Sequence, residues 1–207
     1  MELLVAREFP YPKALFQPLV DALPLAFSEV LHQAQGRGGE AFFREKVDAI
    51  RRHLVGQALD KAVSANHLPY RSQLIQVGFG GVRRLLVCDE WDFSLIECYL
   101  RNGLSFPEPS QFRDDLRRQH NDPLRPTLFD FTEGRQPLTL PSHPLLFLAY
   151  SGHPPLVGRV TVGIPHPTDS TFLEPLLELT VTPEAVETVS EEVPNELPLR
   201  KKPSDSQ

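Results

Sequence analysis

Apolar residues recur at helical spacing through the first third of the chain. In residues 18–34 they repeat every three or four positions, as expected of a helix with one buried face, and Pro24 predicts a kink or a division into two helices. Residues 40–65 give the strongest helical prediction, because one apolar stripe continues along the segment while charged residues occupy the other faces. The members of this stripe are Phe43, Val47, Ile50, Leu54 and Ala58.

Residues 73–100 alternate between apolar and polar positions and predict a three-stranded antiparallel meander. Gly80-Gly81 is typical of a two-residue hairpin turn, and the acidic segment 89–92 supplies the second turn. For the last segment, 93–100, a helix is the alternative interpretation. The three predicted strands are residues 73–79, 82–88 and 93–100.

The lengths of the two turns predict a register for this meander. They place Val77 opposite Arg84, and Arg84 opposite Glu97, in the middle of an apolar face. Both charges are costly in apolar surroundings unless they are paired, so we expect an ion pair between Arg84 and Glu97. This pair either fixes the register or lines a pocket over the sheet. The apolar residues predicted on the same face are Ile75, Val77, Phe79, Val82, Leu86, Cys88, Phe93, Leu95 and Tyr99.

Proline changes the picture in the second half of the chain. Of 21 prolines, 16 lie at or after position 107, which favours short elements joined by loops. Pro175 is typical of an edge strand or a bulge. We therefore predict an α+β fold in which N-terminal helices pack on an antiparallel β-meander, and the proline-rich C-terminal half adds two or three further short strands. The elements predicted in this half are a helix at 107–120 and strands at 145–151, 157–164 and 172–181.

The pattern indicates one domain over residues 1–181 and a disordered, charged tail over residues 182–207. The tail has six acidic and three basic residues and no aromatic residue, so it carries −3 of the net charge of −6. Such a segment cannot bury enough apolar surface to offset the entropy lost on ordering. Within the domain, we expect residues 13–65 to be helical and residues 145–181 to form the second β region.

Composition points to a cytoplasmic protein of bacterial type. The pI near 5.6 argues against general binding of polyanions, although a local basic patch remains compatible with it. Cys88 and Cys98 are too few for a disulfide framework, the N-terminal residues do not resemble a secretory signal, and no apolar run approaches the ~20 residues of a membrane span. No cofactor motif is found, because the glycine-rich segment 78–81 lacks nucleotide-binding spacing. We expect no cofactor and no membrane contact; the oligomeric state is left open.

The acidic residues Asp89 and Glu97 are the candidates for catalysis. They resemble the acidic pair of metal-dependent nucleases of the restriction-endonuclease type, which place an aspartate on one strand and Glu-x-Lys on the next. Here the second part reads Glu97-Cys98-Tyr99, so the lysine that would position the attacking water is absent. The resemblance covers about ten residues and implies a metal-dependent hydrolase or nuclease; a solvated hairpin turn is the other interpretation. Arg84 is a third candidate residue, because it is predicted to pair with Glu97 over the sheet.

Histidines and arginines supply two further candidate sites. His143 and His166 face each other if residues 145–164 form a hairpin, which would bring together two metal ligands without a third; plain loop residues are the alternative. Arg113 and Arg117 share a helix face at i,i+4 spacing and, with Arg83, could contact phosphates of a nucleic acid. A solvated helix of mixed charge is the alternative to that patch.

The leading hypothesis is a non-enzymatic macromolecular interaction or accessory protein. It would bind a protein partner through its loop-rich second half or its tail, because no catalytic constellation stands out. Trp91 in the second turn, together with Arg113 and Arg117, are the candidate partner-binding residues, since exposed aromatic and arginine side chains anchor interfaces.

Overall fold

The computed structural model describes residues 8–35, 40–77, 81–101, 104–121 and 143–182, and of residues 34, 35, 40–46, 77 and 81 it describes only the backbone. Helices precede a six-stranded, mostly antiparallel sheet, which confirms the predicted α+β class. The predicted tail lies outside the described residues except for Thr182.

The N-terminal helical region is divided as Pro24 predicts. Helix α1 ends at Asp21 and helix α2 begins at Leu23, so Pro24 lies in the first turn of α2, where its missing N–H is not needed. Helix α3 has the bounds expected from its apolar stripe. A 3₁₀ turn, Lys13–Leu15, precedes α1 (Gln17–Asp21), α2 (Leu23–Gln35) and α3 (Glu40–Ala65).

The segment Lys13–Gln33 has the length and composition of a membrane span, with a mean hydropathy of 1.3. It is the one such segment in the part of the chain that the structure describes, and it corrects the expectation that no apolar run comes close to this length. In the fold, 56% of its most apolar window is buried. Phe27, for example, packs edge-on against Tyr150 of the sheet at 5.8 Å between ring centroids, as a core helix does.

The six strands lie in the sheet in the order of the sequence. All neighbouring pairs are antiparallel except β3 and β4, which run parallel over six residue pairs. The meander and the second β region are therefore parts of one sheet. The segment predicted as strand or helix, 93–100, is a strand. The strands are β1 (Arg71–Val77), β2 (Gly81–Cys88), β3 (Phe93–Tyr99), β4 (Leu145–His153), β5 (Leu156–Pro165) and β6 (Phe172–Leu179).

The register of the meander is partly as predicted. Strands β2 and β3 pair Leu86 with Leu95, as the four-residue turn requires. Strands β1 and β2 pair Val77 with Gly81, so the prediction of a two-residue Gly80-Gly81 turn is wrong and residues 78–80 lie between the paired ends. The shift is three residues, an odd number, and it therefore moves Ile75 to the opposite face of the sheet.

Both faces of the sheet are covered. The N-terminal helices pack on the face that carries Leu86, Cys88, Phe93 and Leu95. Helix α4 (Gln111–Asn121) and the segment before it cover the other face with Phe106, Phe112 and Leu116. Helix α4 begins four residues later than predicted, because Pro107 and Pro109 precede it as an irregular segment.

The second β region matches its prediction closely. Near the turn, Gly152 pairs with Val157 as expected, and a register shift between Tyr150 and Gly152 then moves the pairing by one residue. Strand β6, which contains Pro175, is at the edge of the sheet. The prediction of an edge position for this proline is confirmed.

Candidate functional site

Strands β2 and β3 separate in the middle of the sheet. Their ladder runs over four pairs, from Cys88–Phe93 to Leu85–Ile96, and the next pair would be Arg84 with Glu97. That pair is the ion pair predicted from the sequence, and the prediction is wrong. The side chain of Arg84 turns to helix α3, where its Nη2 lies 2.7 Å from Oδ2 of Asp60.

A glycine in α3 makes room for this alternative. A Cβ at Gly56 would lie 1.9 Å from Nη1 of Arg84, so the guanidinium crosses the helix where no side chain stands. Arg84 Nε also donates a hydrogen bond to Oγ of Ser72 at 3.2 Å. Arg84 therefore ties the β1–β2 hairpin to α3 rather than to β3.

The separation of β2 from β3 opens a cleft of about 240 Å³. Its walls come from α3, the first half of β2, the second half of β3 and the segment that leads into α4. Charged side chains dominate the lining, with five cations and three anions, a local balance of +2 in a chain of net charge −6. We call this cleft the arginine cleft. The charged residues that line it are Arg51, Arg52, Arg83, Arg101, Arg113, Asp48, Glu97 and Glu108.

One wall of the arginine cleft is neutralised. Asp48 accepts from Arg51 at 2.9 Å and pairs also with Arg101, which in turn lies 3.4 Å from Glu108. Arg51 is only 5% exposed, and its guanidinium stacks 3.4 Å from the ring centroid of Tyr99. This wall is thus a fixed network of paired charges with a cation–π contact.

The other cations of the arginine cleft are Arg52, Arg83 and Arg113. Within the described residues none of the three forms an ion pair; Arg52 and Arg113 donate only to the backbone oxygens of Asp48 and Glu108. Burial lowers the pKa of Arg83 from its ordinary value, and the positive charges of Arg52 and Arg113 lower it further, while Glu97 acts in the opposite direction. An anion bound between these arginines would relieve their mutual repulsion.

Glu97 is held as a hydrogen-bond acceptor at the base of the arginine cleft. Its Oε2 accepts a hydrogen bond from the hydroxyl of Tyr150 at 2.8 Å. Burial raises the pKa of Tyr150 well above its ordinary value, and the charge of Glu97 raises it further, so the phenol keeps its proton and remains a donor. The neighbouring hydroxyl of Tyr99 donates to the carbonyl oxygen of Gly152 at 2.6 Å.

The predicted acidic pair is not brought together. Asp89 lies in the exposed β2–β3 turn with Arg71, at 3.3 Å, whereas Glu97 is four residues into β3, about 13 Å further along the strand. Trp91 is in the same turn and its side chain is 38% exposed; its role in binding a partner stays a prediction.

The two histidines predicted to meet lie at one end of the β4–β5 hairpin, but they make separate contacts. Nε2 of His143 is 2.9 Å from Oγ of Ser94, and Nδ1 of His166 accepts a hydrogen bond from the backbone N–H of Asp169 at 3.0 Å. His120 lies close to His143, with 6.1 Å between ring centroids. In the described part of the chain, no group of three or more His, Cys, Asp or Glu side chains is placed to hold a metal ion.

Ser94 and His143 form a serine–histidine pair that sequence reasoning missed. A serine hydroxyl hydrogen-bonded to an imidazole is also the arrangement of a nucleophile and its base. Ser94, however, is 1% exposed and lies inside the sheet, so a substrate cannot reach its hydroxyl. The pair is a buried polar contact between β3 and the segment before β4.

Arg117 does not belong to the surface patch predicted for it. Its side chain is 5% exposed, and its guanidinium donates to the carbonyl oxygens of His166, Thr168 and Asp169 at 2.6–3.2 Å. It also lies 3.1 Å from a carboxylate oxygen of Asp114. Arg117 therefore holds the β5–β6 connection against α4, and only Arg113 and Arg83 of the predicted patch line the arginine cleft.

The contributions of α3 to the cleft were also missed. Arg51 and Arg52 follow Ile50 of the apolar stripe, and Arg51 lies at a buried position of the helix. A charged residue on the buried side of an amphipathic helix is the signal that could have indicated the site.

Comparisons of this chain with protein-family models, with curated proteins and with solved structures found no match.

Proposed function

We propose that this chain is a non-enzymatic accessory protein that binds an anionic group of a protein partner, a phosphate or a carboxylate, in the arginine cleft. The observation that carries the proposal is the convergence of Arg52, Arg83 and Arg113 on one opening, with no ion pair to any of them among the described residues. Guanidinium groups bind carboxylate and phosphate oxygens in bidentate geometry, which makes arginine the side chain best suited to such a group.

The size of the cleft supports recognition of a group rather than of a whole small molecule. Its volume of about 240 Å³ is below the ~300–1,000 Å³ typical of pockets for drug-sized ligands. Ile96 and Phe112 add apolar surface beside the arginines, which suits the atoms that carry the anion.

The free thiols Cys88 and Cys98 are compatible with the cytoplasmic location predicted from the sequence.

A titration with phenyl phosphate, followed by NMR of the arginine side chains, tests this function. We expect saturable binding that weakens as salt is raised, since the contact is electrostatic. The double variant Arg83→Gln/Arg113→Gln should bind at least 10-fold more weakly, because each charge-assisted hydrogen bond contributes about 1.5–3 kcal/mol.

Arg118→Gln is the matched control, because Arg118 is exposed on α4 and does not line the cleft. It should bind phenyl phosphate as the wild type does. Equal affinities for the wild type and the double variant would refute the proposal.

Binding of a single-stranded nucleic acid is the second candidate, because Arg83 and Arg113 line the same cleft. It is weaker than the first, since Arg117 is engaged by carbonyl oxygens and the chain is acidic overall. An oligonucleotide in the same assay separates the two: affinity that depends on Arg83 and Arg113 and falls steeply with salt would favour this candidate.

A further inference from the structure

We infer that the arginine cleft is occupied, in the free protein, by the acidic segment 184–196 of this same chain. The inference rests on the proposed function, because it takes the cleft as a binding site for anionic groups. It names the ligand chemistry more closely, as an extended peptide that carries several carboxylates.

Charge complementarity is the first argument. The acidic segment contains five glutamates and no basic residue, whereas the cleft has five arginines against three carboxylates. The five glutamates are Glu184, Glu187, Glu191, Glu192 and Glu196. Among the residues that the structure describes, the acidic β2–β3 turn is not available in the same way, because its Asp89 is already paired with Arg71.

The position at which the chain leaves the folded domain is the second argument. The backbone N–H of Thr182 donates to Oδ1 of Asp21 at 3.0 Å, and Gln17 donates to the carbonyl oxygen of Thr180 at 2.8 Å. The described chain thus ends at Thr182, next to α1 and three residues beyond the end of β6.

The distance from that point to the cleft is within reach of the segment. Leu179 of β6 lies in line with Tyr99 of the cleft, because the paired residues across the sheet are Leu179–Val160, Val160–Tyr150 and Tyr150–Tyr99. Three strand spacings of ~4.8 Å give about 14 Å, and the three residues from Leu179 to Thr182 add at most ~10 Å. Nine residues of extended chain, from Thr182 to Glu191, span up to about 30 Å. Glu191 and Glu192 can therefore reach the arginines without any change in the folded domain.

The separated strands give an extended peptide a place to lie. Beyond Ile96, β3 has no ladder to β2, so the backbone groups of Glu97 and Tyr99 that alternate toward β2 lack a partner strand there. Extended peptides bind to such a free strand edge through their main chain. The β-branched residues Val186, Val189 and Val193 of the acidic segment favour the extended conformation.

An attached ligand has a thermodynamic advantage over a free one. A segment tethered to the domain has an effective concentration of the order of ~mM at its own site. A partner with the same chemistry must displace it, so the tether would select for partners that carry more charge or a phosphate.

The test uses full-length chains and a fluorescein-labelled peptide of residues 184–196. In the variant Glu187→Gln/Glu191→Gln/Glu192→Gln, the cleft is vacated, so the labelled peptide should bind at least 10-fold more tightly than to the wild type. The control Glu8→Gln/Glu90→Gln/Glu174→Gln removes the same charge from exposed positions elsewhere and should bind the peptide as the wild type does. Adding Arg83→Gln/Arg113→Gln to the segment variant should abolish the gain.

Equal affinity of the peptide for the wild type and the segment variant overturns the inference. If phenyl phosphate binds in an arginine-dependent way but the peptide does not bind, the inference fails and the proposed function stands. If neither probe depends on Arg83 and Arg113, both fail. Sedimentation at increasing concentration covers the remaining case, because dimers that form only with the intact acidic segment would show that it binds a second copy and would overturn occupancy within one chain.

Discussion

Arg113 and Arg117 lie one turn apart on helix α4, yet their surroundings are opposite. Arg117 is buried and donates to three carbonyl oxygens beside Asp114. Arg113 faces the arginine cleft, where its neighbours include Arg83 and where only a backbone oxygen accepts from it. Helical spacing groups the two residues on one face, but the acceptors that each finds are set by the chain segments packed against the helix.

This difference separates a structural arginine from one available to a ligand. A buried guanidinium whose two terminal nitrogens both donate to carbonyl oxygens of the protein stabilises the fold and is not accessible to a partner. A guanidinium that shares a cleft with other cations contributes little to the stability of the fold, and a bound anion stabilises its charge. Substitutions at the two positions should therefore have opposite signatures.

The largest effect is expected from Arg117→Ala. Removing this side chain leaves Asp114 without its partner and three carbonyl oxygens unsatisfied, so the free energy of unfolding should fall by about 3–5 kcal/mol. Urea denaturation measures it, with the exposed Arg118→Ala as control. A loss below about 1 kcal/mol would remove the contrast between the two arginines.

The buried thiol of Cys98, in the apolar cluster under α4, gives a test with an effect of intermediate size. Burial raises the pKa of Cys98, so the folded chain keeps this thiol protonated at pH values where the unfolded chain, with a thiol pKa near ~8.5, loses the proton. Stability is complete below that value and falls above it, by about 1.4 kcal/mol per pH unit.

The measurement compares urea denaturation at pH 8 and pH 10 for the wild type and Cys98→Ala. The variant should show the weaker dependence on pH. Parallel curves, or labelling of Cys98 by a thiol reagent in the folded protein, would mean that water reaches this thiol in the folded state.

Arg84 is intermediate between the two arginines, since it is paired with Asp60 at the margin of the core. Because a Cβ at Gly56 would meet its guanidinium, the effects of Gly56→Ala and Arg84→Ala on the free energy of unfolding should be coupled by about 1 kcal/mol. In the Arg84→Ala background, Gly56→Ala should stabilise α3 by roughly 1 kcal/mol, the difference in helix propensity. Additive effects in this double-mutant cycle would show that the two residues do not interact.

The smallest effect on stability is expected at the cleft itself. In a chain that carries Glu187→Gln/Glu191→Gln/Glu192→Gln, so that the acidic segment does not contribute, Arg83→Gln/Arg113→Gln should change the free energy of unfolding by less than about 0.5 kcal/mol, because these side chains lack ion-pair partners in the described structure. The same urea denaturation checks it. A loss of unfolding free energy comparable to that of Arg117→Ala would mean that Arg83 and Arg113 stabilise the fold and are not free to bind a ligand.

Local patterns in the sequence predict most of the fold. The division at Pro24, the bounds of α3, the β2–β3 register and the edge position of β6 all follow from periodicity and proline chemistry. The first turn was predicted wrongly because three residues, rather than two, separate the paired ends of β1 and β2. Two adjacent glycines do not distinguish these lengths.

The site was less accessible to sequence reasoning, because its residues meet through long-range packing. The β2–β3 register was right up to Leu85, and it ends where Arg84 finds Asp60 across Gly56. Nothing in the local sequence of β2 indicates that a glycine 28 positions earlier leaves room for a guanidinium. The cleft lies where this ladder ends, and the arginines of α3 come next to it only in the folded chain.

The parallel junction between β3 and β4 divides the sheet into two halves that are each contiguous in sequence, Arg71–Tyr99 and Leu145–Leu179. Within each half the strands follow one another through short turns or connections, so pairing neighbouring strands costs little chain entropy. The junction instead requires closure of the loop formed by residues 100–144, at roughly 3 kcal/mol by loop-closure statistics. Two locally assembled half-sheets that meet late would make this crossover the slow step of folding.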